Sequence, residues 1–289
     1  MARVCEDYFK PRLGNAGKMR VAGFHMDLYL KQNLDILYKK VYRKNFDGII
    51  FIDGVEGFGK SHFAQQAGFY LAKGFRKKTK FGLNNIVFTP EQFTKIVLDS
   101  PKFTVIIWDE ARSGINARRA MSATNNAITD MLAEIRQKNL FIFIVMPTFM
   151  DSDKNVAVWR SRALIHIHGR GFERGYYKFF GYSKKRMLYF LGKKQFYNYN
   201  VVTPDFSGRF GEFWCIDELK YKAKKLGALR AYGNQDVGSK TTKVCKACKS
   251  RACVYFFKET QLFKCNICNY EEGLDDVLAR AKKFGGKKK

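Results

Sequence analysis

A chain of 289 residues, 46% of them hydrophobic, has ample material for a large core. That excludes a chain disordered throughout and leaves room for one large domain plus one or two small ones. Its 53 lysines and arginines against 26 acidic residues give a formal charge of +27, which calls for a polyanionic partner: an acidic membrane surface or, a better match, nucleic acid. The longest clear apolar run, Leu140–Met146, is well short of the ~20 residues a membrane helix needs, no signal peptide is visible, and four of the seven cysteines form C-x-x-C pairs, so the expectation is a reducing, cytoplasmic setting without a transmembrane segment.

Residues 1–47 form a basic, aromatic lead-in region, within which His25–Arg43 carries apolar residues at helical spacing and predicts a helix packed on the core of the main domain. Ile49–Ile52 then reads as a buried strand. It breaks into Gly54-Val55-Glu56-Gly57-Phe58-Gly59-Lys60-Ser61, spaced G-x-x-x-x-G-K-S, with a helix expected over Ser61–Leu71. A turn this poor in side chains lets backbone N–H groups wrap phosphate oxygens. In such a turn Lys60 reaches the β and γ phosphates of ATP, and the Ser61 hydroxyl helps hold Mg²⁺.

Asn85–Phe88 predicts a short second strand, and Thr89-Pro90-Glu91 supplies a capping residue and a proline for the start of the next helix. Phe103–Trp108 predicts a third, buried strand running straight into Asp109-Glu110. By itself an Asp-Glu pair after a strand reads as a helix cap or a loop acid. Downstream of a phosphate loop it reads as the second half of a hydrolytic site, with Asp109 ordering the Mg²⁺ shell and Glu110 accepting a proton from the attacking water or orienting it.

Met121, Asn125, Ile128, Leu132 and Ile135 share roughly one face and predict a long helix over Arg118–Lys138, followed by a fourth strand at Leu140–Met146. Thr148 is the polar group available at that strand's tip, either sensing the γ phosphate or merely closing a turn. A short helix at Asn155–Trp159 leads to a fifth strand at Ala163–His168. His166 and His168 share one face of it and, lacking a third metal ligand, read as partly exposed strand histidines. Between the fourth and fifth strands, Arg160 and Arg162 are candidates for an arginine donated to a neighbouring copy's nucleotide, with solvated surface charge as the default reading.

Beyond residue 170, basic residues interleave with aromatics over Tyr176–Phe180, Lys184–Phe190 and Phe196–Tyr199. The pattern predicts a β-hairpin whose rings pack on the core, or one that tracks a nucleic-acid backbone. Ile216–Arg230 reads as a basic amphipathic helix and Gly233–Thr242 as a linker. Cys245-x-x-Cys248 and Cys265-x-x-Cys268, sixteen residues apart, have the spacing of a four-cysteine Zn²⁺ ribbon, with Val254–Phe257 and Leu262–Lys264 as its hairpin and Cys253 as a spare thiol. Nearby lysines favour nucleic acid as its ligand, though such modules also bind proteins or stabilise an end. The expected division is a lead-in region at 1–47, a main domain with its hairpin extension at 48–232, a linker at 233–242, the ribbon at 243–275 and a basic tail at 276–289.

Taken together, Gly54–Ser61, the run Val105-Ile-Ile-Trp-Asp-Glu110 and Arg136 just before Leu140–Met146 resemble the additional-strand, catalytic-glutamate branch of P-loop ATPases. Within it, the resemblance is to the HerA and FtsK group of DNA-pumping ATPases and the related viral genome-packaging ATPases, over residues 45–170. It implies an α/β, RecA-like P-loop NTPase fold with a mainly parallel sheet flanked by helices, the small zinc ribbon lying outside it. It also gives Arg136 a role in binding the γ phosphate. That group usually carries a glutamine at the fourth strand's tip, where this chain reads Pro147-Thr148-Phe149. The leading expectation is an ATP-hydrolysing motor on double-stranded DNA, assembled as a ring of six copies, with a capsid or other assembly partner if it packages a genome. The alternative is an ATP-switched DNA-binding or virion-assembly protein without translocation, of the zonular occludens toxin type. A small-molecule kinase has no use for the ribbon, the charge or Glu110.

Overall fold

The computed structural model describes residues 26–277 apart from 75–80, 112–113, 116–127, 129–130, 133–134, 172, 212, 234–238, 242, 251–253, 258–259, 266–267 and 269. The chain divides into two compact units, Met1–Leu226 and Gly227–Lys289.

In the first unit, helix α1 (Leu28–Lys44) starts where the Asp27 carboxylate accepts from the Tyr29 N–H at 2.9 Å and stops at Asn45 in the left-handed region. Its buried stripe is Leu30, Leu34 and Val41. Strand β1 (Gly48–Gly54) is buried along its whole length and gives way to helix α2 (Lys60–Gly74), on which α1 packs, with Tyr70 Oη donating to Asp35 at 2.7 Å. Strand β2 (Ile86–Val87) precedes helix α3 (Pro90–Asp99), which is capped by the Thr89 hydroxyl accepting from the Gln92 N–H at 3.3 Å. Next in the chain are strands β3 (Val105–Trp108), β4 (Phe141–Val145) and β5 (Ala163–Arg170). Strand β6 (Glu173–Phe180), helix α4 (Tyr182–Lys194), strand β7 (Phe206–Arg209) and helix α5 (Glu218–Gly233) complete the order.

Seven strands make one sheet in the order β2-β3-β4-β1-β5-β6-β7. The run from β2 to β5 is parallel, and β6 and β7 are added antiparallel. The central strands are near-continuous apolar runs because both faces are covered. Ile49, Phe51, Ile106, Trp108, Ile142 and Ile144 join Phe93 and Val97 of α3 and Leu188 and Tyr189 of α4 in one core. On the other face lies α2, whose Gly68 faces Ile107 and whose Phe63 meets Tyr177 with ring centroids 5.2 Å apart. Strand β4 stands between β1 and β3, the additional strand that the motif order implies. Sheet growth reverses at β1, so its carboxyl end opens a crevice.

Several local expectations change. The second strand is shorter than Asn85–Phe88 because Leu83–Asn85 winds as a 3₁₀ turn, and the third begins at Val105 because Phe103 has φ +68°. Of the expected helix Arg118–Lys138, only Ile128, Met131 and Leu132 are described as helical. Ile135–Lys138 is a 3₁₀ turn, and most of the remainder lies outside the described residues. The expected basic hairpin is corrected: β6 pairs back on β5, but Tyr182–Lys194 is the helix α4, burying Lys185, Leu188, Tyr189 and Gly192 at i, i+3, i+4 and i+7.

The second unit holds a four-stranded antiparallel sheet in the order β11-β10-β9-β8, made of β8 (Ser239–Lys240), β9 (Val254–Phe257), β10 (Leu262–Cys265) and β11 (Glu271–Gly273). Ser239–Lys240, inside the stretch expected to be linker, is therefore a paired strand. Among the described residues no helix is long and apolar enough to cross a membrane.

Candidate functional site

The loop between β1 and α2 lies at the carboxyl end of the parallel strands. Gly54 has φ +132°, and a Cβ there would stand 1.9 Å from the carbonyl oxygen of Ile167 on β5, so the position admits glycine alone. Gly59 (φ +93°) makes the last turn before α2. Lys60 folds back over the loop, its Nζ donating to Gly54 O at 2.7 Å and Val55 O at 3.1 Å. Burial lowers the Lys60 ammonium from its usual range, while Glu110, Asp53, Glu56 and Asp109 pull it back up.

Strand β3 delivers the acid pair. The Asp109 N–H continues the sheet by donating to Val87 O at 2.9 Å, and its carboxylate is buried. Asp109 Oδ2 accepts from Ser61 Oγ at 2.9 Å, joining the two motifs across 48 residues of chain. Adjacent oxygens in an octahedral shell at Mg²⁺ distances are also about 2.9 Å apart, so Ser61 and Asp109 fit a shared Mg²⁺. Glu110 is held at φ +59°, its N–H donating to Asp109 Oδ1 at 3.0 Å, and its side chain is 44% exposed.

Two further side chains reach this pair from α5, where no motif announced them. Tyr221 donates its hydroxyl to Asp109 Oδ2, and burial beside Asp109 drives that phenol far above its usual range. Lys225, one turn on, pairs with Glu110 Oε1 at 2.8 Å and stands 3.8 Å from Asp109 Oδ2. Burial alone would lower the Lys225 ammonium, but the carboxylates of Asp109 and Glu110 outweigh it and leave it raised. The only sequence trace of either residue is their i, i+4 spacing on a basic helix.

These groups line one cavity of about 840 Å³. Its lining takes in Glu56–Ser61 of the loop, Asp109, Glu110, Tyr221 and Lys225, together with Arg174, Phe210 and Trp214. The segment after β7 is tied to the start of α2: Gln66 Nε2 donates to Gly211 O at 2.7 Å, and Trp214 meets His62 edge-on at 4.0 Å. The chemistry on offer is the cradling of a polyanion, a pair of oxygen ligands for a hard cation, and a carboxylate able to take a proton.

Beneath the loop, Asp53 is fully buried and accepts from the Phe149 N–H at 2.9 Å and from the Tyr199 hydroxyl. Its other oxygen lies 2.9 Å from His166 Nδ1, and Tyr199 stacks on the His166 ring at 3.8 Å. His166 and His168 are both partly exposed, as expected, and His166 is in addition a partner of Asp53. The network ties the tips of β1, β4 and β5 together.

The remaining sequence candidates fall elsewhere. Thr148 heads the 3₁₀ turn Phe149–Asp151 and does not line the cavity. Arg136, given a γ-phosphate role by resemblance, donates from Nε to Asn45 O at 3.1 Å and lies over the Phe46 ring. Arg160 and Arg162 both reach the buried carboxylate of Asp47, at 2.9 and 3.5 Å. All three arginines precede strands of a parallel sheet, whereas the cavity lies at the strands' carboxyl ends. The length of β1, roughly 20 Å at the strand rise, separates the two edges. The assignment of Arg136 to the γ phosphate of its own chain is therefore corrected, and Arg160 and Arg162 have an internal partner in Asp47.

In the second unit, Cys245, Cys248, Cys265 and Cys268 bring their sulfurs within 4.8 Å of one another. The Cys245–Cys268 and Cys248–Cys265 separations are 3.5 and 3.7 Å, close to the about 3.8 Å between thiolates on a tetrahedral Zn²⁺ with 2.3 Å bonds. Among the described residues of this unit the buried cluster consists of Cys245, Val254 and Cys265, so a metal fits at its centre. Cys253 lies outside the described residues.

No family model matches the chain, and no curated protein matches it. Among solved structures, the N-terminal domain of zonular occludens toxin from Neisseria meningitidis is similar at 17% identity, over 47% of this chain and 84% of that one, with a TM-score of 0.33. The genome packaging NTPase B204 from Sulfolobus turreted icosahedral virus 2 is similar in its ATP-gammaS complex at 13% identity, over 49% of this chain and 94% of that one, with a TM-score of 0.34. Its AMPPCP complex gives 14%, 49%, 94% and 0.36. By its own strand order, with β4 inserted between the phosphate-loop strand and the Asp-Glu strand, the chain has a P-loop NTPase fold of the additional-strand type.

Proposed function

We propose that this chain is an ATP-hydrolysing nucleic-acid motor acting on double-stranded DNA, in genome packaging or another translocation. The observation that carries the ATPase part is the Ser61–Asp109 contact, which sets the phosphate loop and the acid pair against one cavity. Loop N–H groups and Lys60 hold the phosphates, and Ser61 and Asp109 hold Mg²⁺, which supplies charge neutralisation to the phosphate oxygens. Glu110 takes the proton of the attacking water. The charge of +27 supports nucleic acid as the polymer on which the energy is spent. Assembly into a ring and a capsid-side partner complete the reading, and a Zn²⁺ held by the four cysteines stabilises the C-terminal unit.

The test is ATP hydrolysis with and without duplex and single-stranded DNA, beside Lys60→Ala and Glu110→Gln. Duplex stimulation, abolished by Glu110→Gln while ATP still binds, is the result expected of the motor. Hydrolysis indifferent to DNA, together with ATP-dependent DNA binding, replaces it with an ATP-switched binding or assembly protein. Transfer of the phosphoryl group to a small acceptor overturns both.

A further inference from the structure

With Arg136, Arg160 and Arg162 at the far edge of the sheet, the cationic side chains lining the cavity among the described residues are Lys60, Arg174, Lys222 and Lys225. Lys60 belongs to the loop. Arg174 stands on β6, and Lys222 is 64% exposed and pairs with Glu218 on its own helix at 2.6 Å. Lys225 is aimed at the acid pair, 2.8 Å from Glu110 and 3.8 Å from Asp109, with its side chain 27% exposed.

Its helix is fixed in place by other contacts. Asp217 caps the N-terminus, accepting from the Lys220 N–H at 3.1 Å. Lys224 Nζ donates to Leu83 O at 2.9 Å and Ile86 O at 2.6 Å, pinning the helix to the β2 edge. Tyr221 is bonded to Asp109 and packs against Phe88 and Trp214, at 5.7 and 5.1 Å. A half-exposed ion pair contributes under about 1 kcal/mol to stability, so three anchors holding this lysine on that carboxylate serve position more than stability.

We propose that Lys225 is a catalytic cation supplied in cis: when Mg·ATP enters, its ammonium passes from Glu110 to a non-bridging oxygen of the γ phosphate. The proposal rests on the ATPase reading and deepens it. A bond forms between the water oxygen and the γ phosphorus as the bond from phosphorus to the β,γ-bridging oxygen breaks, and ADP leaves with that electron pair. Glu110, released from its ion pair, takes the water's proton. Lys225 donates hydrogen bonds throughout and keeps its own proton, so that the water's proton goes to Glu110 alone. Its contribution is to charge developing on the transferring group, the kind of interaction whose removal costs about 10²–10³-fold in turnover.

The experiment compares wild type, Lys225→Ala and Lys225→Arg in Mg·ATP turnover, in ADP binding, and in trapping of ADP with aluminium fluoride, a mimic of the transferring phosphoryl group. The expected result for Lys225→Ala is a kcat lower by about 100-fold, ADP affinity close to wild type and loss of the trapped complex, with part of each recovered in Lys225→Arg. Mixing Lys225→Ala with Glu110→Gln restores nothing, because each site still lacks a group of its own chain. Turnover in Lys225→Ala equal to or above wild type overturns the proposal and makes the lysine a restraint on Glu110. Restored turnover in the mixture overturns the cis assignment. A wild type that binds ADP but never hydrolyses ATP removes the ATPase reading, and the proposal with it.

Discussion

Two glycines of the phosphate loop separate steric from conformational constraint, and Gly54→Ala is the sharper perturbation. Its new methyl would meet Ile167 O at 1.9 Å and the carbonyl carbon at 2.8 Å, both backbone atoms unable to swing aside. Ordinary contact begins at 3.4 Å, so β5 would have to retreat by about 1.5 Å, enough to break the Gly54–Ile167 pairing. The backbone at φ +132° adds about 1–3 kcal/mol for any residue with a Cβ, and the forced shift adds about 1–3 kcal/mol, for a total of about 2–6 kcal/mol. Gly57→Ala meets nothing within 4 Å, and its φ of +82° costs only about 1–2 kcal/mol. Urea denaturation of the two variants, with ADP affinity measured on each, is the assay. Gly54→Ala should be the less stable and should lose ADP binding. Equal destabilisation would mean that β5 does not press on the loop at Gly54 and would refute the reasoning.

Other consequences can be checked in the same way. Burial, with Arg186 and Arg162 nearby, lowers the fully buried Lys185 ammonium to about 7, so from there up to the ordinary lysine range the unfolded chain binds the extra proton. Wild-type stability relative to Lys185→Met should therefore rise with pH above 7, by about 1.4 kcal/mol per unit, and stay flat below; a difference independent of pH in urea midpoints would refute it. Asp47→Ala strands two arginines and should cost about 3 kcal/mol in denaturation, the low end for a broken buried pair because both guanidinium groups reach solvent, whereas Arg136→Ala should leave ATP turnover within about two-fold. Chelation, or Cys265→Ser, should release stoichiometric zinc and unfold the C-terminal sheet, read by metal assay and by hydrogen exchange at Val254–Phe257; a metal-free protein with the same protection would remove zinc from the account.

Chemistry carried by contiguous residues was legible in the sequence. Gly54–Ser61 is a local pattern because its loop must be free of side chains, and the C-x-x-C pairs are local because each knuckle spans one tight turn. Alternation and apolar runs likewise announced β1, β3, β4 and β5. Helix α4 was not legible, because its buried stripe of Lys185, Leu188, Tyr189 and Gly192 includes a lysine whose Nζ is satisfied by Ala157 O and Val158 O, at 2.7 and 2.9 Å, and this hides the 3.6-residue period.

The sequence by itself thus determined that a phosphate loop, an acid pair and a four-cysteine cluster exist, since each is written in neighbouring residues. Tertiary structure alone decided what meets them. Tyr221 and Lys225 arrive from a helix more than a hundred residues beyond Asp109, and the arginines that looked ready for the phosphate face the opposite edge. The physical reason is that helix docking and long-range side-chain pairing are fixed by burial between distant segments, which leaves no mark at the positions it brings together.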